Sequence, residues 1–206
     1  MTGAAISAIW QAPFRASDYR LRFELGGEAH GSDEPVPRFV QAFSRARSVA
    51  HDLFQKAERS LAIVGTWPEP EKDLFAPASD GFAALAAMGF RPLPMEEWRA
   101  PHRYDHGDDE LWTWRAFDIA GNWEARDVLL WGAIAYESRI MPKAPVKSYL
   151  VDFGSGVMLD VYDDRGMDVI ATQRESLLDL YRSRGDWLLD YDRPRMAAVF
   201  GEPVTE

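Results

Sequence analysis

The stretch from Lys147 to Thr172, K-S-Y-L-V-D-F-G-S-G-V-M-L-D-V-Y-D-D-R-G-M-D-V-I-A-T, constrains the fold more than any other part of the chain. Three short apolar runs are separated by two groups of turn residues, which predicts three antiparallel strands. Gly154-Ser155 suits a two-residue hairpin loop, because glycine supplies the positive φ that primed turns require. Asp163-Asp164-Arg165-Gly166 suits a type I turn closing a three-residue hairpin, with Asp163 accepting a local hydrogen bond and Gly166 free to go left-handed. The expected register pairs Leu150 with Leu159 and Val161 with Val169. Alternation then places Val157, Leu159, Val161, Val169 and Ala171 on a core face. The opposite face carries Tyr149, Val151, Met158, Asp160, Tyr162, Asp168 and Ile170, with Tyr162 across from Asp168. That face is half apolar and half acidic.

Asp160, Tyr162, Asp163, Asp164, Arg165 and Asp168 form the densest polar cluster in the sequence. Turn chemistry accounts for Asp163 and Gly166. It leaves Asp164, Arg165 and Asp168 unexplained, and loop tips on rigid hairpins commonly carry recognition residues. Together with Tyr149, Asp160, Tyr162 and Asp163 they are the candidate binding residues. The competing reading is structural: an arginine among carboxylates makes surface ion pairs contributing less than about 1 kcal/mol.

The 206 residues suit one compact domain, 1–206, with a weak boundary near 66–78, where Pro68, Pro70 and Pro77 interrupt the pattern. There is no cysteine, so disulfides and thiolate metal sites are excluded. No run approaches the roughly 20 apolar residues of a membrane helix, and Met1 to Trp10 does not read as a leader, so a cytoplasmic location and no membrane contact are expected. The net charge of -10 is uneven: 11 basic and 13 acidic residues through Arg99, then 12 and 20 from Ala100 on. Such a balance disfavours nucleic-acid backbones and fits a basic protein partner, a bound cation or plain solubility.

Met1 to Ala16 reads as a loosely docked start. Tyr19 to Leu25 alternates as a half-buried strand, and Val36 to Ala57 carries a helical apolar stripe, with Pro37 in its first turn and a solvated face at Arg38, Gln41, Arg45, Ser48, Asp52 and Lys56. Leu61 to Val64 is a second strand, parallel to the first through a right-handed crossover. Ser79 caps a short helix ending at Gly89, Phe90 to Leu93 forms a brief strand and Met95 to Arg99 a helical turn. Leu111 to Ile119 is a central strand with aromatic residues on both faces. Trp123 to Ile140 is a mostly buried helix with Arg126 at a wet end. Thr172-Gln173-Arg174-Glu175 has capping-box spacing, and a last helix follows Asp192 and buries Met196, Val199 and Phe200. The fold class is α+β: a mixed, mainly antiparallel sheet packed by helices, with a C-terminal antiparallel meander followed by helices.

His102 and His106 are four apart, the spacing of two ligands on one helix face, but Pro101, Gly107 and the absent apolar periodicity argue for a solvated loop. No phosphate loop, nucleophile elbow or zinc-protease motif occurs, so no cofactor is expected. The leading function is a protein-binding module that presents the acidic hairpin to a basic partner, as immunity proteins do to nuclease toxins. The alternative is a divalent-metal enzyme at Asp160, Asp164 and Asp168.

The run Y-D-D-R-G-M-D-V-I-A from Tyr162 to Ala171, followed by L-L-D-L-Y from Leu177 and W-L-L-D-Y-D-R from Trp187, resembles the family called domain of unknown function 3885 over about the last third of the chain. Leu129 to Ile140 resembles the helix preceding that motif. The resemblance implies a bacterial, intracellular protein and assigns no reaction.

Overall fold

A computed structural model describes residues 5–27, 30, 31, 33–66, 80–102, 111–138 and 140–201. Among these residues seven strands, β1 (Arg20–Glu24), β2 (Ser60–Thr66), β3 (Pro94–Pro101), β4 (Leu111–Asp118), β5 (Val146–Asp152), β6 (Val157–Val161) and β7 (Gly166–Ala171), form one sheet in the order β1-β7-β6-β5-β2-β4-β3. Every pairing in it is antiparallel.

The C-terminal meander is β5-β6-β7. Leu150 pairs with Leu159 as expected, but the first turn is a four-residue reversal, Phe153 to Gly156, whose left-handed residue is Gly156 rather than Gly154. Asp152 explains the wider turn: its carboxylate accepts from the Gly154 amide at 2.8 Å and the Ser155 hydroxyl at 2.7 Å. In the second turn the Tyr162 amide donates to the Gly166 carbonyl at 3.2 Å, leaving the three expected loop residues. That loop length sets Val161 opposite Met167 and Asp160 opposite Asp168, two residues from the expected register. A shift of two preserves the faces, so Val157, Leu159, Val161, Val169 and Ala171 all lie in the larger core.

Helix α3 (Pro35–Phe54) and helix α5 (Trp123–Ala135) cover that face, meeting where Trp131 packs edge-on to Phe39 with ring centroids 4.5 Å apart. The strands β1 and β2 run the same way, but β7, β6 and β5 lie between them, so they are not neighbours. The connection permits this. Twenty residues of α3 at 1.5 Å each reach about 30 Å, more than the roughly 19 Å across four strand spacings.

Several local expectations change. Glu96, expected in a helical turn, belongs to β3, an edge strand, and no strand forms over Phe90 to Leu93. Helix α4 (Gly81–Ala87) is capped by Asp80, whose carboxylate accepts from the Phe82 amide at 2.9 Å; Ser79 and the proline-rich stretch 67–79, with the boundary expected there, lie outside the described residues. Helix α5 ends at Ala135, and Arg126 is buried rather than wet. No capping box forms at helix α6 (Glu175–Ser183), whose N-cap is Arg174. Helix α7 (Arg193–Phe200) buries Met196 and Phe200, with Val199 half-buried.

The largest departure is at the N-terminus. Two short helices, α1 (Ile6–Ile9) and α2 (Ala12–Arg15), lie on the other face of the sheet. Trp10 and Phe14, at most 3% exposed, pack there with Tyr149, Val151, Met158, Ile170, Trp112 and Trp114. Glu96 of β3 anchors this start by accepting the Ile6 and Ser7 amides at 2.7 and 3.2 Å. Two aromatic side chains, each burying about 150–250 Å², contribute at roughly 25 cal/mol per Å² toward offsetting the ordering cost of this segment, alongside the Glu96 hydrogen bonds.

Candidate functional site

The tip of the β6-β7 hairpin is clasped to its surroundings. Asp163 accepts the Arg165 amide at 2.7 Å and the Arg165 Nε at 2.8 Å, and is itself 1% exposed. Arg165 is the exposed residue of the tip and also reaches Glu137 at 3.1 Å. Asp164 is turned to α3, where its carboxylate accepts from Arg38 Nε at 2.5 Å. Gly166 does not go left-handed. A Cβ there would meet the Phe23 carbonyl of β1 at 2.8 Å, so glycine is required for close approach.

The remaining candidate residues form a row across the face covered by α1 and α2. Asp160 and Asp168 are directly opposite on neighbouring strands, 2% and 5% exposed. Lys147 Nζ donates to Asp160 Oδ1 at 2.5 Å and to the Val161 carbonyl at 3.3 Å, and lies 5.2 and 5.8 Å from the ring centroids of Tyr149 and Tyr162. Arg22 Nε donates to Asp168 Oδ1 at 3.1 Å, Arg20 stands 3.7 Å from the other oxygen, and the Tyr162 hydroxyl donates to Asp168. Burial pushes the Asp168 carboxyl above the usual carboxylate range and Asp160 adds to this, while Tyr162, Arg22 and Arg20 pull it down. Burial, reinforced by Asp168, also raises the Tyr162 phenol, which keeps it a neutral donor.

The expectation of an open, half-acidic face is therefore corrected. Alternation does place Tyr149, Asp160, Tyr162 and Asp168 on one side, but Trp10 and Phe14 cover its apolar part and cations from other elements answer its charges. A buried carboxylate needs such a partner, since isolated charge in a low-dielectric setting is strongly disfavoured. The hairpin thus offers a basic partner little unpaired negative charge.

Nor do Asp160, Asp164 and Asp168 share a metal site. Asp164 pairs with Arg38 while the other two pair with Lys147 and Arg22, and among the described residues no group of three or more potential ligands could hold a metal ion. His102 stacks on Trp112 at 4.4 Å and on Trp114 at 6.0 Å; His106 lies outside the described residues.

Sequence reasoning missed the cations that complete the cluster. Arg20 and Arg22 were legible as polar positions of β1, but their meeting with Asp168 depends on a pairing between strands nearly 150 residues apart. On α3, Arg38, Gln41 and Arg45 are not the solvated face expected of them. They donate to Asp164 and to the carbonyls of residues 24–27. The outer ridge of α3 carries Val36 and Val40, each 58% exposed. On one side lies a cavity of about 570 Å³ reaching Trp187, and on the other one of about 680 Å³ reaching Trp123 and His51. Arg45 and Arg184 lie over the Trp187 ring at 5.5 and 4.8 Å. This surface joins α3 to segments too distant in sequence for any motif to signal it.

No helix among the described residues is long and apolar enough to cross a membrane. No curated protein and no solved structure matches the chain. The model of a domain of unknown function, DUF3885, matches residues 5–192, so the relationship extends far beyond the C-terminal third that carries the tyrosine-aspartate-aspartate-arginine-glycine motif. It takes in the N-terminal helices, α3 and the whole sheet, and the chain belongs to the DUF3885 family.

Proposed function

We propose that the domain is a protein-binding module whose contact surface is the outer ridge of α3 with its two flanking cavities. The observation that carries this reading is the pair Val36 and Val40, exposed side by side between cavities walled by Trp187 and Trp123. Residues at i and i+4 share one helix face, and interface hot spots are enriched in tryptophan and arginine, which Trp187, Trp123, Arg45 and Arg184 supply beside the two valines. The partner class is a basic protein that presents an apolar helix or loop. Its approach is favoured over distance by the net charge of -10. Locally Arg47 is paired with Asp127 and Arg184 with Asp52, while Arg45, bonded to the Glu24 and Leu25 carbonyls, keeps its charge on the Trp187 side.

Affinity capture from the native host with the wild-type chain and with Val40→Asp tests the reading. A single basic protein retained by wild type and lost with Val40→Asp, with capture weakening as salt rises, is the expected result. Identical capture by both chains would sink it. Val40 is exposed, so its substitution should leave stability within about 0.5 kcal/mol and loss of capture would not reflect unfolding.

A further inference from the structure

We propose that a surface cavity beside β1 binds the phosphate group of a small phosphorylated molecule. The cavity encloses about 810 Å³ and is lined by Arg15, Arg20, Arg22 and Arg195, with Asp18 and Asp192. On a chain with 23 basic and 33 acidic residues, four guanidinium groups on one cavity reverse the overall balance. Their mutual repulsion is only partly offset. Arg195 is held by Asp192 at 2.7 Å and by the Arg20 carbonyl at 2.9 Å, and Arg22 by Asp168 at 3.1 Å.

Arg15 and Arg20 are not matched in this way. Among the described residues the Arg15 side chain bonds only to the neutral Gln11, and Arg20 comes no closer than 3.7 Å to its one carboxylate, beyond hydrogen-bond length. Two guanidinium forks therefore keep donors for a ligand, while Asp168 and Asp192 hold the other two in place before it arrives. Such preorganisation lowers the cost of binding.

The number of forks selects the ligand. One guanidinium satisfies both oxygens of a carboxylate, whereas several forks from different sides suit the three terminal oxygens of a phosphate group. The volume is that of a small-molecule site. A nucleic-acid backbone would meet the strongly acidic remainder of the chain, which favours a small molecule over a polymer. In this assignment the signature carboxylate Asp168 acts as a positioning residue, holding Arg22 at the cavity wall. The site is independent of the α3 surface and uses none of its residues.

The test is titration of the full chain with inorganic phosphate and pyrophosphate, against chloride and acetate at matched ionic strength, read by calorimetry and by the thermal midpoint. Phosphate and pyrophosphate should raise the wild-type midpoint above both controls. Arg20→Gln and Arg15→Gln should each weaken the apparent Kd about tenfold or more, and Arg47→Gln on α3 should leave it unchanged. Arg15 is exposed, so its variant keeps the test decisive even if Arg20→Gln fails to fold. A midpoint no higher in phosphate than in chloride, or an undiminished shift in Arg15→Gln, would overturn the proposal.

Discussion

Asp160 and Asp168 sit directly opposite each other on β6 and β7, both buried, and each is answered by a different cation: Lys147 from β5 and Arg22 from β1. Like charges placed opposite in a sheet are destabilising unless neutralised. The pair therefore ties four adjacent strands together through side chains as well as backbone.

The folded-state pKa of Asp168 lies above its unfolded value near 3.8, chiefly because it is buried. The folded state binds that proton more tightly, so the contribution of Asp168 is fully present below about 3.8 and is lost as pH rises through the folded-state value. Asp168→Asn removes this loss. Urea midpoints taken from about pH 3 to 7 should show the variant gaining on wild type as pH rises; a constant difference would contradict the assignment.

Asp192 gives the opposite sign. Its hydrogen bonds from Arg195 lower its pKa below 3.8, so its contribution is present above that value and is lost as pH falls through the folded-state one. Asp192→Asn should be less stable than wild type at neutral pH, and the difference should vanish in acid. The same urea series reports both residues.

Trp10 links the N-terminal helices to the sheet, with its ring centroid 5.0 Å from that of Tyr149 and 5.8 Å from that of Trp114. Trp10→Ala should cost about 3–5 kcal/mol in chemical denaturation, as expected for emptying an aromatic site in a packed core. It should also expose Tyr149 and Trp114, giving a red-shifted tryptophan emission. A loss under about 1 kcal/mol would mean that the helices are a loose cover.

Gly65 on β2 faces Trp114 on β4, and a Cβ on Gly65 would come within 2.6 Å of the indole. Gly65→Ala should destabilise by about 1–3 kcal/mol through overpacking. Combining it with Trp114→Leu should recover part of that loss, because the two sites are in contact and their effects are not additive. A double-mutant cycle on unfolding free energies measures the coupling, and strict additivity would refute it.

Arg126 is buried over Trp123, 4.2 Å from its ring, and burial lowers its pKa. It donates to the Ile119 carbonyl at 3.2 Å, while Nε and Nη1 meet no acceptor among the described residues. A buried charge with so few partners costs stability. Arg126→Met, similar in length and apolar, should therefore match wild type or exceed it by about 1–4 kcal/mol. A large loss of thermal midpoint would show that the charge is needed.

The C-terminal meander was legible because its information is local. Val157, Leu159 and Val161 alternate with Met158 and Asp160, and Asp163 and Gly166 punctuate the turn, so strand, face and loop length follow from neighbouring residues. The same holds for the apolar stripe of α3 and for the buried α5. Register was less secure. A two-residue slip keeps every face, so alternation alone cannot distinguish Val161 opposite Val169 from Val161 opposite Met167.

The sequence by itself determined which residues alternate, where the chain turns, and that Tyr149, Asp160, Tyr162 and Asp168 share a side. Only the tertiary structure decided what meets that side: Arg20 and Arg22 of β1 at its edge, Lys147 beside it, and Trp10 and Phe14 over it. The physical reason is the range of the interactions. Propensity and alternation act between near neighbours, whereas a buried carboxylate is neutralised by whichever cation the sheet order brings near, and that order is set by packing of the whole chain.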